Sequence, residues 1–347
     1  MDKIFTIDNK IVIENGKIKL EYIQPSSYTI AFLPDTQSYV NYKPSIMVEQ
    51  IDWLISNKDN LNLQFVAHEG DIVQNYDENP LISTGTTFTT TGYTEWSFMQ
   101  WQMNRLIDSE IPYSTLPGNH DYKDGTRDNT MLNSYFPLSS FTGMTTYQGS
   151  YDIDSDNTYH IVNVNNNKLL ILSIEFGPRQ SVLDWADTIV KSNSTIPVIL
   201  VTHAYVSKTS GSTESEVLLS HDMNHAPSNG YGLGSVPTDV NDPYALTDIT
   251  SIWRDVVYPN NNVRFVISGH DATPTVASNL LISQHSNGVP IYQILSNFQY
   301  FNVNDAGHLV TLTFGQDTVN FRTYSPFLDE YKTDEYSQGD WDWSWTI

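Results

Sequence analysis

A chain of 347 residues with 39% hydrophobic and 12% aromatic content can bury a large core, which excludes an intrinsically disordered protein. The formal charge of −23 at pH 7 disfavours a nucleic-acid groove, because affinity there depends on Lys and Arg contacts to phosphates. No stretch approaches the roughly 18 consecutive apolar residues of a membrane span. The chain has no cysteine, so disulfides and thiolate metal ligands are excluded.

The first residues, Met1-Asp2-Lys3-Ile4-Phe5, lack a charged segment followed by an apolar one. They therefore do not predict an intact secretory signal. The absence of cysteine, combined with abundant Asn, Thr, Tyr and Trp, is typical of a bacterial extracellular or phage virion protein. A cytoplasmic location is the alternative.

Residues 1–27 predict a small β-meander that extends the chain before its core. Short alternating runs lie at Ile4–Ile7, Lys10–Glu14 and Lys17–Ile23. Asn15-Gly16, between the last two runs, is the two-residue turn typical of a β-hairpin.

Residues 28–328 contain five apolar, β-rich runs separated by helical patterns. The runs are Tyr28–Leu33, Leu63–Ala67, Tyr113–Leu116, Pro197–Val201 and Val263–Ile267. Amphipathic spacing predicts helices within residues 46–55, 96–107, 182–190 and 249–257. Strands that alternate with helices predict a mixed α/β fold with a buried sheet.

Two long stretches without periodicity, residues 76–94 and 204–244, are interpreted as functional lids or disordered segments. Alternating runs at Leu309–Phe314 and Val319–Tyr324 predict strands of a second sheet. Residues 329–347 form an acidic tail with three closely spaced tryptophans. The tail is either a flexible terminus or a segment that docks on a surface through these indoles.

Each of the five apolar runs ends in a short polar segment. In chain order these are Asp35-Thr36-Gln37, Gly70-Asp71, Gly118-Asn119-His120-Asp121, Thr202-His203 and Gly269-His270-Asp271. Loops at the carboxyl ends of buried strands are where α/β enzymes place their sites. The convergence of these segments would gather oxygen and nitrogen ligands suited to a pair of Mn, Fe or Zn ions. The glycines in these segments would let the backbone approach the ions closely.

The order of these motifs resembles the calcineurin-like metallophosphoesterases, whose pattern is D-x-H, GD, GNH-D/E, H and GHxH. The resemblance covers residues 28–326, and its most specific element is the intact GNHD. Three further segments are similar to a branch of the family with a DTQ first motif: Asp35-Thr36-Gln37, Glu175-Phe176-Gly177-Pro178-Arg179 and Thr323-Tyr324-Ser325-Pro326. The resemblance implies a four-layer α/β core, in which two mixed β-sheets pack as a sandwich and are flanked by helices.

The resemblance also implies a dinuclear centre of two divalent ions (Mn, Fe or Zn) and assigns roles to individual residues. The metal ligands would be Asp35 in the first site, Asp71 as the bridge, and Asn119, His203 and His270 in the second site. His120 would donate a proton to the leaving group or stabilise the phosphoryl charge, and Asp121 would orient its ring. A water activated by the metals to hydroxide would attack phosphorus.

Two positions depart from the family pattern. Gln37 stands where the family has the histidine of D-x-H, and Ala272 stands where it has the second histidine of GHxH. The first site therefore loses two imidazoles and can gain the neutral amide oxygen of Gln37, so we expect a weakly held or empty first site. Asn297 or Gln299, which follow the run Ile291–Leu295, could also reach the site.

Three residues are candidates for substrate binding. Arg179 could hold a phosphate with its planar guanidinium, and a structural salt bridge is the alternative. His221 and His225, in the long loop after His203, could contact substrate, and a solvated loop is the alternative. The remaining histidines outside the motifs are interpreted as structural or exposed.

The sequence thus predicts a metal-dependent hydrolase of a phosphomonoester or phosphodiester, acting on a small molecule or a cell-surface polymer. The alternative is a non-catalytic or weakly catalytic metal-binding module of a virion or cell-surface assembly. Its assembly partner would bind through the N-terminal extension or the C-terminal tail. The intact His120-Asp121 pair favours the enzyme, because a purely structural metal site needs no proton donor.

Overall fold

The computed structural model describes residues 9–14, 17–22, 27–76, 93–122, 130–208, 249–300 and 306–344. The β-strands in these ranges are β1 (Asn9–Glu14), β2 (Lys17–Tyr22), β3 (Tyr28–Leu33), β4 (Leu63–His68), β5 (Tyr113–Ser114), β6 (Tyr147–Ser150), β7 (Thr158–Val164), β8 (Asn167–Ile174), β9 (Val198–Thr202), β10 (Val263–Ser268), β11 (Ser278–Gln284), β12 (Pro290–Ser296), β13 (Leu309–Phe314), β14 (Thr318–Ser325), β15 (Glu330–Tyr331) and β16 (Gln338–Asp342). The α-helices are α1 (Gln37–Tyr42), α2 (Ser45–Ser56), α3 (Lys58–Leu61), α4 (Glu95–Asp108), α5 (Leu132–Tyr135), α6 (Ser139–Thr142), α7 (Gln180–Ser192) and α8 (Ile249–Ile252).

Apart from the β1–β2 hairpin, the strands form two mixed sheets. The first has the order β15-β14-β13-β3-β4-β5, and β16 pairs with the same edge of β14 as β15. The second has the order β11-β12-β10-β9-β8-β7-β6. Strands β3, β4 and β5 are parallel to one another in the first sheet, as are β8, β9, β10 and β12 in the second.

The two sheets pack face to face with helices on their outer sides. Apolar side chains from both sheets meet in a central core that includes Ile30, Phe65, Ile199 and Phe265. Helices α2 and α4 cover the outer face of the first sheet, and α7 covers that of the second. This arrangement confirms the predicted four-layer core of two mixed sheets flanked by helices.

The helices follow the predicted apolar spacing. Along α4 the side chains of Trp96, Met99, Met103 and Leu106 are fully buried, because they recur on the face that packs on the first sheet. Thr94 caps this helix by accepting a hydrogen bond from the backbone N–H of Ser97. The helix predicted over residues 249–257 is α8 followed by a π-helical turn.

The N-terminal extension contains the predicted hairpin. Strands β1 and β2 pair antiparallel, with Glu14 opposite Lys17. This register leaves two residues for the turn, Asn15-Gly16, which lie outside the described residues, as does the run Ile4–Ile7. Within the described ranges these two strands form a sheet of their own.

The C-terminal tail is joined to the core. Strand β16 pairs with β14, so the first sheet continues past the predicted boundary at residue 329. The ring of Trp341 stacks on Tyr292 with centroids 4.1 Å apart, and Trp343 is 6% exposed. The described tail residues therefore dock through their indoles, whereas Trp345 lies outside the described ranges.

Both long non-periodic stretches fall largely outside the described residues, at 77–92 and 209–248. Within the described ranges, no helix combines the length and the hydropathy needed to cross a membrane.

Candidate metal centre

The predicted strand-end segments meet at one edge of the sandwich. Asp35, Asp71 and Asn119 follow β3, β4 and β5 of the first sheet, whereas His203 and His270 follow β9 and β10 of the second. Within each sheet these strands are parallel, so their carboxyl ends lie on the same side. The packing of the two sheets then brings the five side chains together.

Four of these side chains converge on one point. The Nε2 atom of His203 lies 3.2 Å from Oδ2 of Asp71 and 3.0 Å from Oδ1 of Asn119. The Nδ1 atom of His270 lies 2.8 Å from the same Asn119 oxygen and 3.1 Å from His203 Nε2. Asp71, His203 and His270 each offer a ligand atom within 4.8 Å of the others. These four residues are the ones that the sequence analysis assigned to the second site.

The hydrogen bonds behind these atoms show why the site fits a cation. The Nδ1 atom of His203 lies 2.9 Å from the backbone oxygen of Glu69, which can only accept a hydrogen bond. Nδ1 therefore carries a proton, and in the neutral ring Nε2 bears a lone pair. That lone pair would face the oxygens of Asp71 and Asn119. A positive charge, either a proton or a metal ion, would stabilise such a group of acceptors.

The pKa values of the buried side chains also indicate that positive charge is favoured at this point. Burial opposes ionisation of His203, yet the carboxylates of Asp71 and Asp35 raise its pKa to about 9. Burial also opposes ionisation of Asp71, but nearby histidines, above all His203, hold its pKa below the ordinary value. Burial raises the pKa of Asp35, which lies close to Asp71. Positive charge is favoured beside Asp71, where a divalent ion would replace the proton of His203.

Two glycines make the close approach possible. A Cβ atom at Gly118 would collide with the backbone nitrogen of Asp71, and one at Gly269 would collide with Oδ1 of Asp35. Asp71 and His270 also take left-handed backbone conformations, with φ of 48° and 66°. Such conformations are strained for ordinary side chains and are often found at functional sites.

Asp35 and Gln37, which the sequence analysis placed in the first site, lie beside Asp71 and make hydrogen bonds of their own. The carboxylate of Asp35 accepts hydrogen bonds from the backbone N–H of His270 at 3.1 Å and from the side-chain amide of Asn297 at 2.7 Å. Gln37 donates its amide N–H to Oε1 of Gln299 at 2.8 Å, and Ser38 donates to the same oxygen. The Oε1 atom of Gln37 is buried and, among the described residues, has no hydrogen-bond partner.

This unpaired oxygen fits a metal ligand. Because Gln299 accepts two hydrogen bonds at Oε1, it fixes the amide of Gln37 with its nitrogen towards Gln299. A buried carbonyl oxygen without a partner is costly, and a cation would satisfy it. Asn297 and Gln299 thus reach the site through Asp35 and Gln37 as hydrogen-bonding neighbours of those residues.

We expect Gln37→His to bind metal more tightly at the first site and to shift its preference towards Zn²⁺ or Fe²⁺, because imidazole is a stronger donor than an amide oxygen for these ions. Gln37→Ala should lower first-site occupancy. Calorimetric titration of the metal-stripped variants with Mn²⁺ and with Zn²⁺ measures both effects. The matched control is Gln64→Ala, which changes a glutamine outside the site. Unchanged stoichiometry and affinity in both Gln37 variants would remove Gln37 from the site.

His120 lies beside the centre. Its backbone N–H donates to Oδ1 of Asp71 at 2.9 Å. Its ring atom Nδ1 lies 3.2 Å from both the backbone oxygen and the side-chain nitrogen of Gln74. Gln74 is in turn held by buried Glu95, whose carboxylate accepts the backbone N–H of Gln74 at 2.6 Å. The ring of His120 is therefore oriented by a glutamine.

Asp121 has a different role from the one we predicted. Its buried carboxylate accepts hydrogen bonds from the backbone N–H groups of Gly118 at 2.8 Å, Ile72 at 3.0 Å and Val73 at 3.2 Å. These contacts tie the loop after β4 to the loop after β5. Asp121 thus fixes the backbone that carries Asp71 and Asn119, and it does not hold the ring of His120.

Arg179 is engaged in the salt bridge that we considered as the alternative. Its Nε and Nη2 atoms donate to the two carboxylate oxygens of Glu175, each at 2.9 Å. This bidentate pair occupies the fork that a substrate phosphate would need. The other candidate substrate residues, His221 and His225, lie outside the described residues.

The carboxylate of Asp271 binds Ser207 and Lys208. Its carboxylate accepts hydrogen bonds from the hydroxyl of Ser207 at 3.0 Å and from the backbone N–H of Lys208 at 2.9 Å, and it forms an ion pair with the Lys208 ammonium. It therefore anchors the segment after His203 and is not a substitute for the missing second histidine of GHxH.

Three residues around the centre were not identified from the sequence: Glu69, Gln74 and Glu95. Gln74 stands three residues after Asp71, in the same loop, which is a signal that could have been used. Glu95 opens α4 just after the capping residue Thr94, where an acidic side chain reads simply as a helix start. Glu69 contributes its backbone oxygen, which no residue type reveals.

The fold and this ligand set define a metal-dependent phosphoesterase. The sequence model of the calcineurin-like phosphoesterase family matches residues 28–274. This range includes Asp35, His120 and the four residues that converge in the candidate second site. The chain belongs to the calcineurin-like phosphoesterase family, as the motifs predicted.

Individual proteins also resemble this chain. The chain is 27% identical over 358 residues to the uncharacterized protein YvnB of Bacillus subtilis (strain 168), an alignment that covers 98% of this chain. The chain spans 24% of the length of that relative. Among solved structures, a dimetal phosphatase from Danio rerio aligns with a TM-score of 0.53 and 14% identity, over 89% of this chain and 99% of that one. GAP50, the anchor in the inner membrane complex of Plasmodium, aligns with a TM-score of 0.49 and 10% identity, over 90% and 88%.

Proposed function

We propose that the chain hydrolyses a phosphomonoester or phosphodiester at a centre of two divalent ions, with His120 as the acid or charge-stabilising group. The observation that carries this proposal is the convergence of Asp71, Asn119, His203 and His270 on one point, with His120 directly beside it. A purely structural ion would need Asp71, Asn119, His203 and His270, but it would not need His120.

In this proposal Asn119, His203 and His270 would hold one ion, Asp35 and Gln37 would hold the other, and the Asp71 carboxylate would serve both. When bound, the ions would lower the pKa of a coordinated water and neutralise charge on the phosphoryl oxygens. Asp121 keeps the two loops that carry Asp71 and Asn119 at a fixed separation through its three backbone hydrogen bonds. This rigidity keeps the ligands in position during the reaction.

His120 would act through the ring nitrogen that Gln74 does not hold. If Nδ1–H donates to the backbone oxygen of Gln74, the imidazolium keeps a second proton on Nε2. That proton can pass to the leaving alkoxide, or it can remain in place and stabilise a phosphoryl oxygen. Glu95 supports this orientation, because it fixes the backbone of Gln74 from the start of α4.

The substrate would be a small phosphoester or a cell-surface phosphodiester. The formal charge of −23 disfavours nucleic acid as the substrate, because binding of nucleic acid depends on Lys and Arg contacts to phosphates. The centre itself inverts this potential locally when cations are bound, so a single phosphoryl group can enter.

We expect the purified protein to retain nearer one ion than two per chain after mild dialysis. Three residues (Asn119, His203 and His270) join Asp71 in the proposed second site, whereas two (Asp35 and Gln37) join it in the first, and neither of these two is an imidazole. Elemental analysis measures the number of bound ions. Hydrolysis of 4-nitrophenyl phosphate and bis(4-nitrophenyl) phosphate should then rise when Mn²⁺ is added back to the stripped protein.

Two tightly held ions after dialysis would show that further ligands complete the first site. Metal binding without hydrolysis of either ester, in the presence of added Mn²⁺, would instead support the non-catalytic module of a virion or cell-surface assembly. The relative rates on the two esters distinguish a monoesterase from a diesterase.

A further inference from the structure

The ring of Phe176 lies against both histidine ligands of the second site. Its centroid is 5.5 Å from that of His203, nearly perpendicular at 74°, and 5.4 Å from that of His270, tilted by 33°. The two imidazoles are 4.9 Å apart. Phe176 is 2% exposed, so the three rings form one packed cluster beside the converging ligand atoms.

A network of hydrogen bonds fixes the segment that carries this ring. Phe176 donates its backbone N–H to the oxygen of Pro117 at 3.1 Å. The preceding Glu175 is fully buried. Its carboxylate accepts hydrogen bonds from Nε and Nη2 of Arg179 and from the side-chain amide of Asn157. Gly177 has a φ of 54°, which lets the chain reverse between Phe176 and the arginine. The segment Glu175–Arg179 is therefore a rigid clamp with Phe176 at its tip.

His203 and His270 differ in their other contacts. His203 is anchored on its far side by the backbone oxygen of Glu69. His270 takes a left-handed backbone conformation, and its backbone N–H is bound by Asp35. A ring that packs beside both histidines limits the rotation of each imidazole about its side-chain bonds. Residues that contact metal ligands without binding the metal commonly orient those ligands in this way.

We propose that Phe176 is a positioning residue for the second metal site, and that the Glu175–Arg179 clamp holds it in place. This inference rests on the proposed function, because it assumes that His203 and His270 bind a metal ion. It gives the segment Glu175–Arg179 a role that does not involve substrate, and it explains why Arg179 is paired internally.

The test is the affinity of chelator-stripped protein for Zn²⁺ and for Co²⁺ alone, measured by calorimetry. We expect Phe176→Leu and Phe176→Met to weaken binding by about 10-fold or more, the range typical of groups that orient metal ligands. The visible absorption of bound Co²⁺ should change as well, because it reports ligand geometry. Arg179→Lys, which cannot form the bidentate pair, should weaken binding in the same direction by a smaller factor.

The control is Phe141→Leu, which removes a fully buried ring packed on Tyr113 and His160 instead of on the ligands. It should lower the thermal unfolding temperature of the metal-free protein without changing metal affinity. If Phe176→Met binds Zn²⁺ and Co²⁺ like Phe141→Leu, with an unchanged Co²⁺ spectrum, Phe176 has no positioning role. A wild-type protein that binds neither ion would overturn the proposed function, which is a separate result.

Discussion

Replacing His120 with asparagine is expected to lower kcat by about 10²–10⁴ on an alkyl phosphoester, the size of a lost general acid. The bound metal should be unchanged, because the ring atom Nδ1 of His120 contacts Gln74 and the proposal assigns His120 to the proton and not to a metal ion. Elemental analysis and thermal unfolding of the variant would verify this. Loss of metal together with activity would show that His120 is a ligand.

The choice of leaving group separates the two roles of His120. A 4-nitrophenolate leaving group needs little protonation, so a general acid contributes less to its departure than to that of an alkoxide. If His120 donates a proton, His120→Asn should lose much less activity on 4-nitrophenyl esters than on alkyl esters. Equal losses on both would indicate that the ring stabilises phosphoryl charge instead.

Replacing Asp71 with asparagine is expected to abolish most activity, by about 10³-fold or more, through loss of metal from both sites. The carboxylate is the charged ligand assigned to both ions, and metal ions contribute several kcal/mol to stabilisation of the transition state. Asparagine keeps the side-chain shape and tolerates the left-handed backbone at this position, so the protein should still fold.

Asp59→Asn is the matched control, because Asp59 is an exposed aspartate on α3. It should retain wild-type metal content and rate. Elemental analysis, circular dichroism and turnover on bis(4-nitrophenyl) phosphate would be measured for both variants. If Asp71→Asn kept two ions and near-normal turnover, the bridging role would be refuted.

The layout of the site was predictable because it depends on strand direction. Buried apolar runs identified the strands, and each strand ended in a polar segment, so Asp71, Asn119, His203 and His270 could be placed at one edge without coordinates. The four-layer core followed from the motif order that the chain shares with its family. Individual hydrogen bonds within the loops were not predictable in this way.

The details that the sequence did not predict concern side chains whose partners are far away in sequence. Asp121 is adjacent to His120, but in the tight turn over Asn119–Asp121 its carboxylate faces the backbone amides of the loop after β4. The partner of the His120 ring is Gln74, 46 residues earlier. The orientation of the Gln37 amide depends on Gln299, 262 residues later. Spacing along the chain carries no record of such pairs.

The two sheets contribute different side chains to the proposed second site, so the separation of the sheets influences how these side chains meet. Asp71 and Asn119 belong to one sheet and His203 and His270 to the other, and the thickness of the central core sets their separation. Core side chains such as Ile30 and Ile199, which lie between the two sheets, therefore help to set the coordination geometry. A smaller residue at such a position would let the layers settle closer together, and selectivity between metal ions of different size would change at a distance from the mutation.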